Sequence, residues 1–249
     1  MNTTDIVFLD NVSIKIFVKG RFSGTGVLYS KGEEHYAFTA AHVLYGKSYE
    51  YDAEILVADI SIEIPSGDHL KSIVQEIITP DNFKSKDIDI AAMRIESASI
   101  PAKMPSFTIA DQIVPDSSYF FRGCPLQAEK EFRNFFKFEM NDFNADKIKL
   151  KGSAEDFLFM ASAGDNSQDG LSGSGIFFRH DESYYLCGVF IGMSDRDAAY
   201  CLVDAISINV LQKKLNLDCA SPIPKSSEFL ESLNMFRRKV DQNEIDRFL

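Results

Sequence analysis

The residues of this sequence best suited to chemistry are a histidine, an aspartate and a serine, each beside a short apolar run. His42 ends the segment Phe-Thr-Ala-Ala-His, and Asp89 precedes the run Ile-Ala-Ala-Met. Ser172 lies in the glycine-rich segment Gly-Leu-Ser-Gly-Ser-Gly. A hydroxyl becomes a good nucleophile when a base takes its proton, and a buried carboxylate can orient an imidazole for that task. These residue types therefore fit acyl transfer by a serine hydroxyl.

The glycines around Ser172 fit the same chemistry. The oxyanion that forms on an attacked carbonyl needs two backbone N–H groups that point at one position. Gly170 and Ser172 are expected to supply this oxyanion hole, because glycine permits the backbone angles that such a turn requires.

Two neighbouring residues compete for these roles. Asp87 has the same parity as Asp89 and would face the same way on an extended strand, but the Ile-Ala pair follows Asp89 alone. Ser174 lacks a glycine two positions before it, whereas Ser172 has Gly170. We therefore favour Asp89 and Ser172.

The three segments resemble the trypsin-like serine peptidases, through T-A-A-H at residues 39–42, D-I-A-x-M at 89–93 and G-x-S-G-S at 170–174. The resemblance spans about residues 12–217 and is closest to the bacterial branch with G-x-S-G-S, where digestive enzymes have G-D-S-G-G. The order His, Asp, Ser also fits this family, whereas α/β-hydrolases and subtilisins have other orders. The resemblance implies a serine endopeptidase of the chymotrypsin fold that forms an acyl-enzyme and uses no cofactor and no metal.

The resemblance also suggests residues that set specificity. The floor of the substrate pocket in this family lies shortly before the nucleophile, which here corresponds to Asn166, with Asp165 one step away. Asp165 would favour Arg or Lys in the substrate, whereas Asn166 would suit a neutral side chain, and the sequence leaves both open. Met193 would narrow the pocket where many relatives have glycine. Leu171 stands where digestive relatives have the aspartate that pairs with a new amino terminus, so activation by N-terminal cleavage is not expected.

Short strands are the elements that must position these residues. Apolar residues recur in short runs bounded by Gly, Pro, Asp, Asn and Ser, which is typical of many strands and few long helices. We therefore expect an all-β fold of two six-stranded antiparallel β-barrels with C-terminal helices, since closure removes exposed sheet edges. Residues 1–100 would form the barrel with the histidine and aspartate, residues 117–204 the barrel with the serine, and residues 101–116 the connector.

The C-terminal part has a helical pattern. Residues 205–217 are predicted to form a helix after the last strand, and residues 225–249 an amphipathic helical extension. The apolar side chains of the extension share one face, and they are Phe229, Leu233, Phe236 and Val240. The segment from Ser226 to Leu249 either packs over the barrels or binds a protein partner.

Composition narrows the classes of partner. The chain has 249 residues and a formal net charge of −11, which disfavours nucleic acid and anionic membrane surfaces. The resemblance to the trypsin-like peptidases implies a protein or peptide substrate. The N-terminus does not have the pattern of a secretory signal, so we expect a cytoplasmic location with the four cysteines as free thiols. The alternative to a peptidase is a catalytically silent module that binds peptides or partners through the same cleft.

Overall fold

Strands dominate the fold, as expected for an all-β protein. The computed structural model describes residues 3–46, 55–64, 69–71, 73–81, 83, 88–97, 100, 104–114, 116–126, 131–144, 146–153, 169–196 and 200–222. The strands form two sheets, one in each half of the chain, in which most neighbouring strands are antiparallel. The extension predicted for residues 225–249 lies outside the described residues.

Seven strands make up the first sheet. They are β1 (Ser13–Val18), β2 (Arg21–Lys31), β3 (Glu34–Thr39), β4 (Ile60–Glu63), β5 (His69–Lys71), β6 (Val74–Ile78) and β7 (Ala91–Ile95). Their order is β5-β4-β1-β2-β3-β7-β6, and each neighbouring pair is antiparallel. Within the described residues, the short end strands β5 and β6 do not pair with each other. Over the described residues, this half is a curled half-barrel sheet of seven strands, one more than the six expected.

The second sheet contains a closed barrel. Its strands are β8 (Thr108–Ala110), β9 (Tyr119–Gly123), β10 (Arg133–Asn144), β11 (Lys147–Ser153), β12 (Gly175–His180), β13 (Ser183–Arg196), β14 (Tyr200–Ser207) and β15 (Cys219–Ala220). Six of them, β9 to β14, close into a barrel because β12 pairs with both β9 and β13. The predicted six-stranded second barrel is confirmed. In addition, β8 pairs with β13 and β15 in parallel, so part of the predicted connector belongs to this sheet.

Helices in the described residues are short. They are α1 (Thr3–Val12), α2 (Ala41–Tyr45), a 3₁₀ turn (Val57–Asp59), and a second 3₁₀ turn (Ile208–Leu211) that continues into one helical turn (Gln212–Leu215). The C-terminal helix begins at Ile208 rather than at residue 205, because the preceding residues complete β14 and Ser207 caps the turn by accepting from the Asn209 N–H at 3.2 Å. Across the described ranges, none of these helices has the length and apolar character needed to cross a bilayer.

The helix α1 packs on the second sheet through aromatic contacts. Its Phe8 ring stacks on Tyr184 with centroids 3.8 Å apart and meets the Phe177 ring edge-on at 5.0 Å. The carboxylate of Asp5 accepts a hydrogen bond from the Tyr184 hydroxyl at 2.9 Å. The core cluster that contains Phe8 also includes Phe38 of the first sheet. This core therefore joins the two sheets, and α1 covers it.

Candidate active site

His42 and Asp89 are brought together by the pairing of β3 with β7. Thr39 at the end of β3 lies opposite Ala91 at the start of β7, so the chain leaving one strand runs beside the chain entering the other. His42 is in the first turn of α2, which follows β3 almost directly. Asp89 comes shortly before β7. The register of this strand pair therefore places the two side chains at one end of the first sheet.

The Asp89 carboxylate contacts His42 at two points. One oxygen accepts from the His42 backbone N–H at 2.9 Å, and the other lies 2.5 Å from Nδ1. The His42 and Asp89 side chains are 12% and 8% exposed, so the contact is shielded from water. Because an ionised carboxylate only accepts hydrogen bonds, Nδ1 donates in this contact, and in the neutral imidazole Nε2 is then the acceptor.

Ser172 lies in a tight turn of residues 169–174, here called the serine turn, which leads into β12. Two of its glycines have positive φ, +93° at Gly170 and +89° at Gly173. Residues with a Cβ rarely adopt this region. The turn therefore needs glycine at both positions.

Close packing also requires glycine at positions 170 and 173. A Cβ on Gly170 would collide with the carbonyl oxygen of Cys124, and a Cβ on Gly173 would collide with the Thr25 carbonyl oxygen and the Thr39 hydroxyl. Both Thr25 and Thr39 belong to the first sheet. The serine turn thus packs closely against β3, the strand that leads to His42.

Gly24 marks a second position where the segment that carries His42 and the segment that carries Ser172 come close together. A Cβ at this position would lie 2.7 Å from a methyl carbon of Val43 and 2.9 Å from the carbonyl oxygen of Ser172. Val43 directly follows His42 in α2. The candidate base and the candidate nucleophile are therefore carried by segments that meet across one glycine.

Thr25, a fully buried residue of β2, forms four hydrogen bonds around the serine turn, two of them to the turn itself. Its hydroxyl donates to the Gly170 carbonyl at 2.7 Å and accepts from the Cys124 N–H at 3.0 Å. Its N–H donates to the Ser172 carbonyl at 2.9 Å, and its carbonyl accepts from the Thr39 hydroxyl at 2.8 Å. One threonine of the first sheet therefore holds the turn that precedes a strand of the second.

The N–H groups of Gly170 and Ser172 are oriented by the carbonyl groups of their own peptides. The Asp169 carbonyl accepts from the Leu126 N–H at 2.8 Å, and the Leu171 carbonyl accepts from the Ser174 N–H at 3.0 Å. In a trans peptide the N–H points opposite to the carbonyl. Among the described residues, no group accepts a hydrogen bond from either N–H. Both donors are thus fixed in direction and available to an oxyanion.

The two serines of the turn differ in what their hydroxyls do. The Ser174 side chain is fully buried and donates to the Leu171 carbonyl at 2.6 Å. Ser172 is 9% exposed, and within the described part of the chain its hydroxyl has no hydrogen-bond partner. The hydroxyl of Ser174 is therefore occupied in holding the turn, whereas that of Ser172 is available to react.

Of the expected substrate pocket, only Met193 is described. It lies on β13 opposite Val203 and is half-buried against the core of the closed barrel. Asp165 and Asn166 lie outside the described residues, as does the competing Asp87. Leu171, immediately before Ser172, is fully buried in the barrel core.

Thr25 was missed in the sequence because nothing local marks it. A threonine between two glycines in an apolar run fits an ordinary strand residue. Its hydrogen-bond partners in the serine turn are far away in the sequence, so only the fold reveals them. Thr39 stood inside the T-A-A-H segment, but its contact with Thr25 could not be inferred.

Other groups with potential chemistry lie elsewhere. His35 pairs with the Ser30 hydroxyl at 2.7 Å, and His180 lies 3.4 Å from the carboxylate of Asp181. In the part of the chain that the structure describes, no three His, Cys, Asp or Glu side chains are grouped as a metal site would require. All four cysteines are free thiols, and burial raises the pKa of Cys219 to about 11.

Comparison with known proteins gives no family assignment. No protein-family model matches the chain, and no curated protein matches it significantly. The two β-sheets, one of them a closed barrel, are compatible with a chymotrypsin-like fold. The functional interpretation therefore rests on the residues and geometry of the site.

Proposed function

We propose that the protein is a serine endopeptidase that cleaves peptide bonds through an acyl-enzyme. Ser172 is the nucleophile, His42 the general base and Asp89 the carboxylate that orients His42. The observation that carries this proposal is the two-point contact of Asp89 with His42. Val43, the next residue after His42, meets the serine turn across Gly24.

In the first half of the reaction, Nε2 of His42 takes the hydroxyl proton of Ser172 as the oxygen attacks the substrate carbonyl carbon. The carboxylate of Asp89 stabilises the imidazolium. The N–H groups of Gly170 and Ser172 donate to the oxyanion. When the C–N bond breaks, His42 gives its proton to the departing amine, and an ester with Ser172 remains.

In the second half, His42 takes a proton from a water molecule that attacks the ester carbonyl. The oxyanion forms in the same position and meets the same two N–H groups. Its collapse breaks the ester bond, and His42 returns the proton to the Ser172 oxygen. A carboxylic acid is released and the free enzyme is restored, so the cycle needs no other reactant than water.

A fluorophosphonate reagent tests the proposal, because it modifies serines that a neighbouring base has activated. The wild-type protein should be labelled once, on Ser172, as mapped by mass spectrometry. Labelling should be lost in Ser172→Ala and His42→Ala and should persist in Ser174→Ala. Label on Ser174 would contradict the assignment. Absence of label from a folded protein that binds peptides would instead support the silent, peptide-binding alternative.

We also propose a cytoplasmic location, since the free thiols suit a reducing compartment. Rapid alkylation of the protein in intact cells, followed by mass spectrometry, should find all four cysteines reduced. Disulfides among them would place the protein elsewhere.

A further inference from the structure

A cavity of about 460 Å³ lies between the β1–β2 hairpin and α2. This is within the volume range of pockets that bind small groups. Its apolar walls come from both elements and include Phe22, Val43 and Leu44. Lys19 and Arg21 also line it, so the cavity combines apolar walls with two cations.

The cavity adjoins the candidate active site on both of its walls. The Phe22 ring lies 2.9 Å from where a Cβ on Gly170 would be, so the ring packs against the candidate oxyanion hole. On the other wall, Val43 directly follows His42 in α2. A peptide whose carbonyl occupies the oxyanion hole could therefore extend along α2 into this cavity.

The position of His42 indicates which part of the substrate would enter. In the proposed mechanism, His42 delivers a proton to the departing amine, so the amine side of the scissile bond must lie near its Nε2. The cavity is lined by the residues that follow His42 in α2. It is therefore placed to receive side chains just after the scissile bond.

The described residues that line the cavity have a net charge opposite to that of the molecule. The protein has a formal net charge of −11, yet none of the described residues that line the cavity carries a carboxylate. Lys19 and Gly20 form the hairpin turn with φ of 51° and 75°, which suits a tight two-residue connection and places Lys19 at its tip. Lys19 and Arg21 are exposed, and neither forms an ion pair within the described part of the chain.

We propose that this cavity binds an acidic side chain, Asp or Glu, at the first or second position after the scissile bond. The inference rests on the proposed peptidase function and specifies its substrate. Arg21 can form two parallel hydrogen bonds with a carboxylate, and Lys19 adds a second positive charge. The apolar walls accept the methylene groups of the same side chain.

Pairs of peptides that differ only by acid and amide test the preference. Each pair has Glu or Gln, or Asp or Asn, at the first or second position after the cleaved bond. We expect the acidic peptide to have a kcat/KM about twofold to fivefold higher, as for exposed ion pairs. The ratio of the kcat/KM values for the acidic and amide peptides should fall towards one in the double variant that combines Lys19→Gln and Arg21→Gln. It should also fall towards one at high salt. In the control Lys213→Gln, which changes an exposed lysine away from the cavity, the ratio should stay the same.

Two results separate this inference from the proposed function. Cleavage of both peptides at equal rates, or a preference that survives the double variant, overturns the cavity assignment and leaves the peptidase in place. If no peptide is cleaved, the peptidase proposal fails, and peptide binding alone then tests the cavity assignment. The fluorescently labelled acidic peptide should then bind Ser172→Ala about twofold to fivefold more tightly than its amide partner by anisotropy. Equal binding would overturn the inference.

Discussion

The hydroxyl of Thr25 donates a hydrogen bond to the carbonyl oxygen of Gly170 at 2.7 Å, although 145 positions separate the two residues. This bond fixes the peptide between the two that carry the Gly170 and Ser172 N–H groups. Thr25 itself contacts no substrate in the proposed mechanism. It is a positioning residue that shapes the oxyanion hole from the opposite sheet.

Two substitutions of Thr25 should distinguish the effect of losing its hydroxyl from the effect of changing its side-chain shape. Thr25→Val leaves the Gly170 carbonyl without this donor, and a buried polar group that loses its partner costs about 1–3 kcal/mol. We expect fluorophosphonate labelling to slow at least about tenfold and Tm to fall by roughly 5 °C. Thr25→Ser, which keeps the hydroxyl, should recover most of the labelling rate. A purely structural role would lower Tm but leave the labelling rate of the folded protein unchanged.

Replacement of the candidate base and its carboxylate should abolish most turnover without unfolding the protein. His42→Ala removes the proton acceptor, and Asp89→Asn presents an amide that can no longer hold the imidazole in the required tautomer. Each should lower kcat by roughly a thousandfold or more. Asp87→Asn is the matched control and should have a mild effect. Peptide hydrolysis measures turnover, and circular dichroism measures folding. A larger loss of turnover in Asp87→Asn than in Asp89→Asn would show that Asp87 is the functional carboxylate.

Alanine at the serine-turn glycines should be far more damaging than alanine at an exposed glycine. Gly170→Ala and Gly173→Ala add a Cβ that collides with backbone oxygens, and each should cost about 3 kcal/mol or more and abolish labelling. Gly32 also has positive φ, at +59°, but a Cβ there would meet no atom within 4 Å. Gly32→Ala should therefore cost only about 1–2 kcal/mol. Urea denaturation gives the free energies, and equal costs at the three positions would contradict the packing described for the turn.

The thiols should be unreactive until the protein unfolds. Cys124, Cys187 and Cys201 are buried, and burial raises the pKa of Cys187 above that of an ordinary thiol. Because the thiolate is the reactive form, native protein should react slowly with iodoacetamide, and four thiols should become reactive in denaturant. The rate at partly buried Cys219 should keep rising up to pH 9.5, since its pKa is about 11. Free glutathione is the control, and a Cys219 rate that levels off with it would contradict the raised pKa.

Truncation of Phe8 should measure how strongly α1 is held. The ring is 4% exposed and contacts Tyr184 and Phe177. Phe8→Ala should lower the free energy of unfolding by about 3–5 kcal/mol, as for other buried aromatic residues. Val7 is 54% exposed in the same helix, so Val7→Ala should change it by less than about 0.5 kcal/mol. Similar effects of the two substitutions would mean that α1 is not docked as described.

The sequence predicted best those strands whose side chains alternate between core and surface or run through a fully buried layer. In β1, the buried Ile14 and Ile16 alternate with Lys15, and in β12 the run from Gly175 to Phe178 is buried throughout. The apolar run at residues 55–57 has the pattern of a short strand but does not form one. Leu56 is 59% exposed and precedes a 3₁₀ turn, and β4 begins only at Ile60.

Elements held by distant contacts could not be predicted. The helix α1 contains Ile6, Val7 and Val12, which are weak helix formers, and it depends on packing against aromatic residues of later strands. The short strands β8 and β15 have too few residues to show a pattern. At the candidate site, residue types and order predicted the contact of His42 with Asp89, because both flank apolar strands. The hydrogen bonds of Thr25 depend on how the two sheets meet, which no local pattern encodes.

The docking of α1 also bears on the order in which the chain can fold during synthesis. Asp5 and its hydrogen-bond partner Tyr184 are 179 positions apart, and translation proceeds at about 5–20 residues per second. The helix must therefore wait roughly 10–40 s for its binding surface to leave the ribosome. During that time its apolar face, with Phe8 and Leu9, is open to chaperones and to other nascent chains. The docking of α1 can thus be completed only after β12 and β13, which carry Phe177 and Tyr184, have been made.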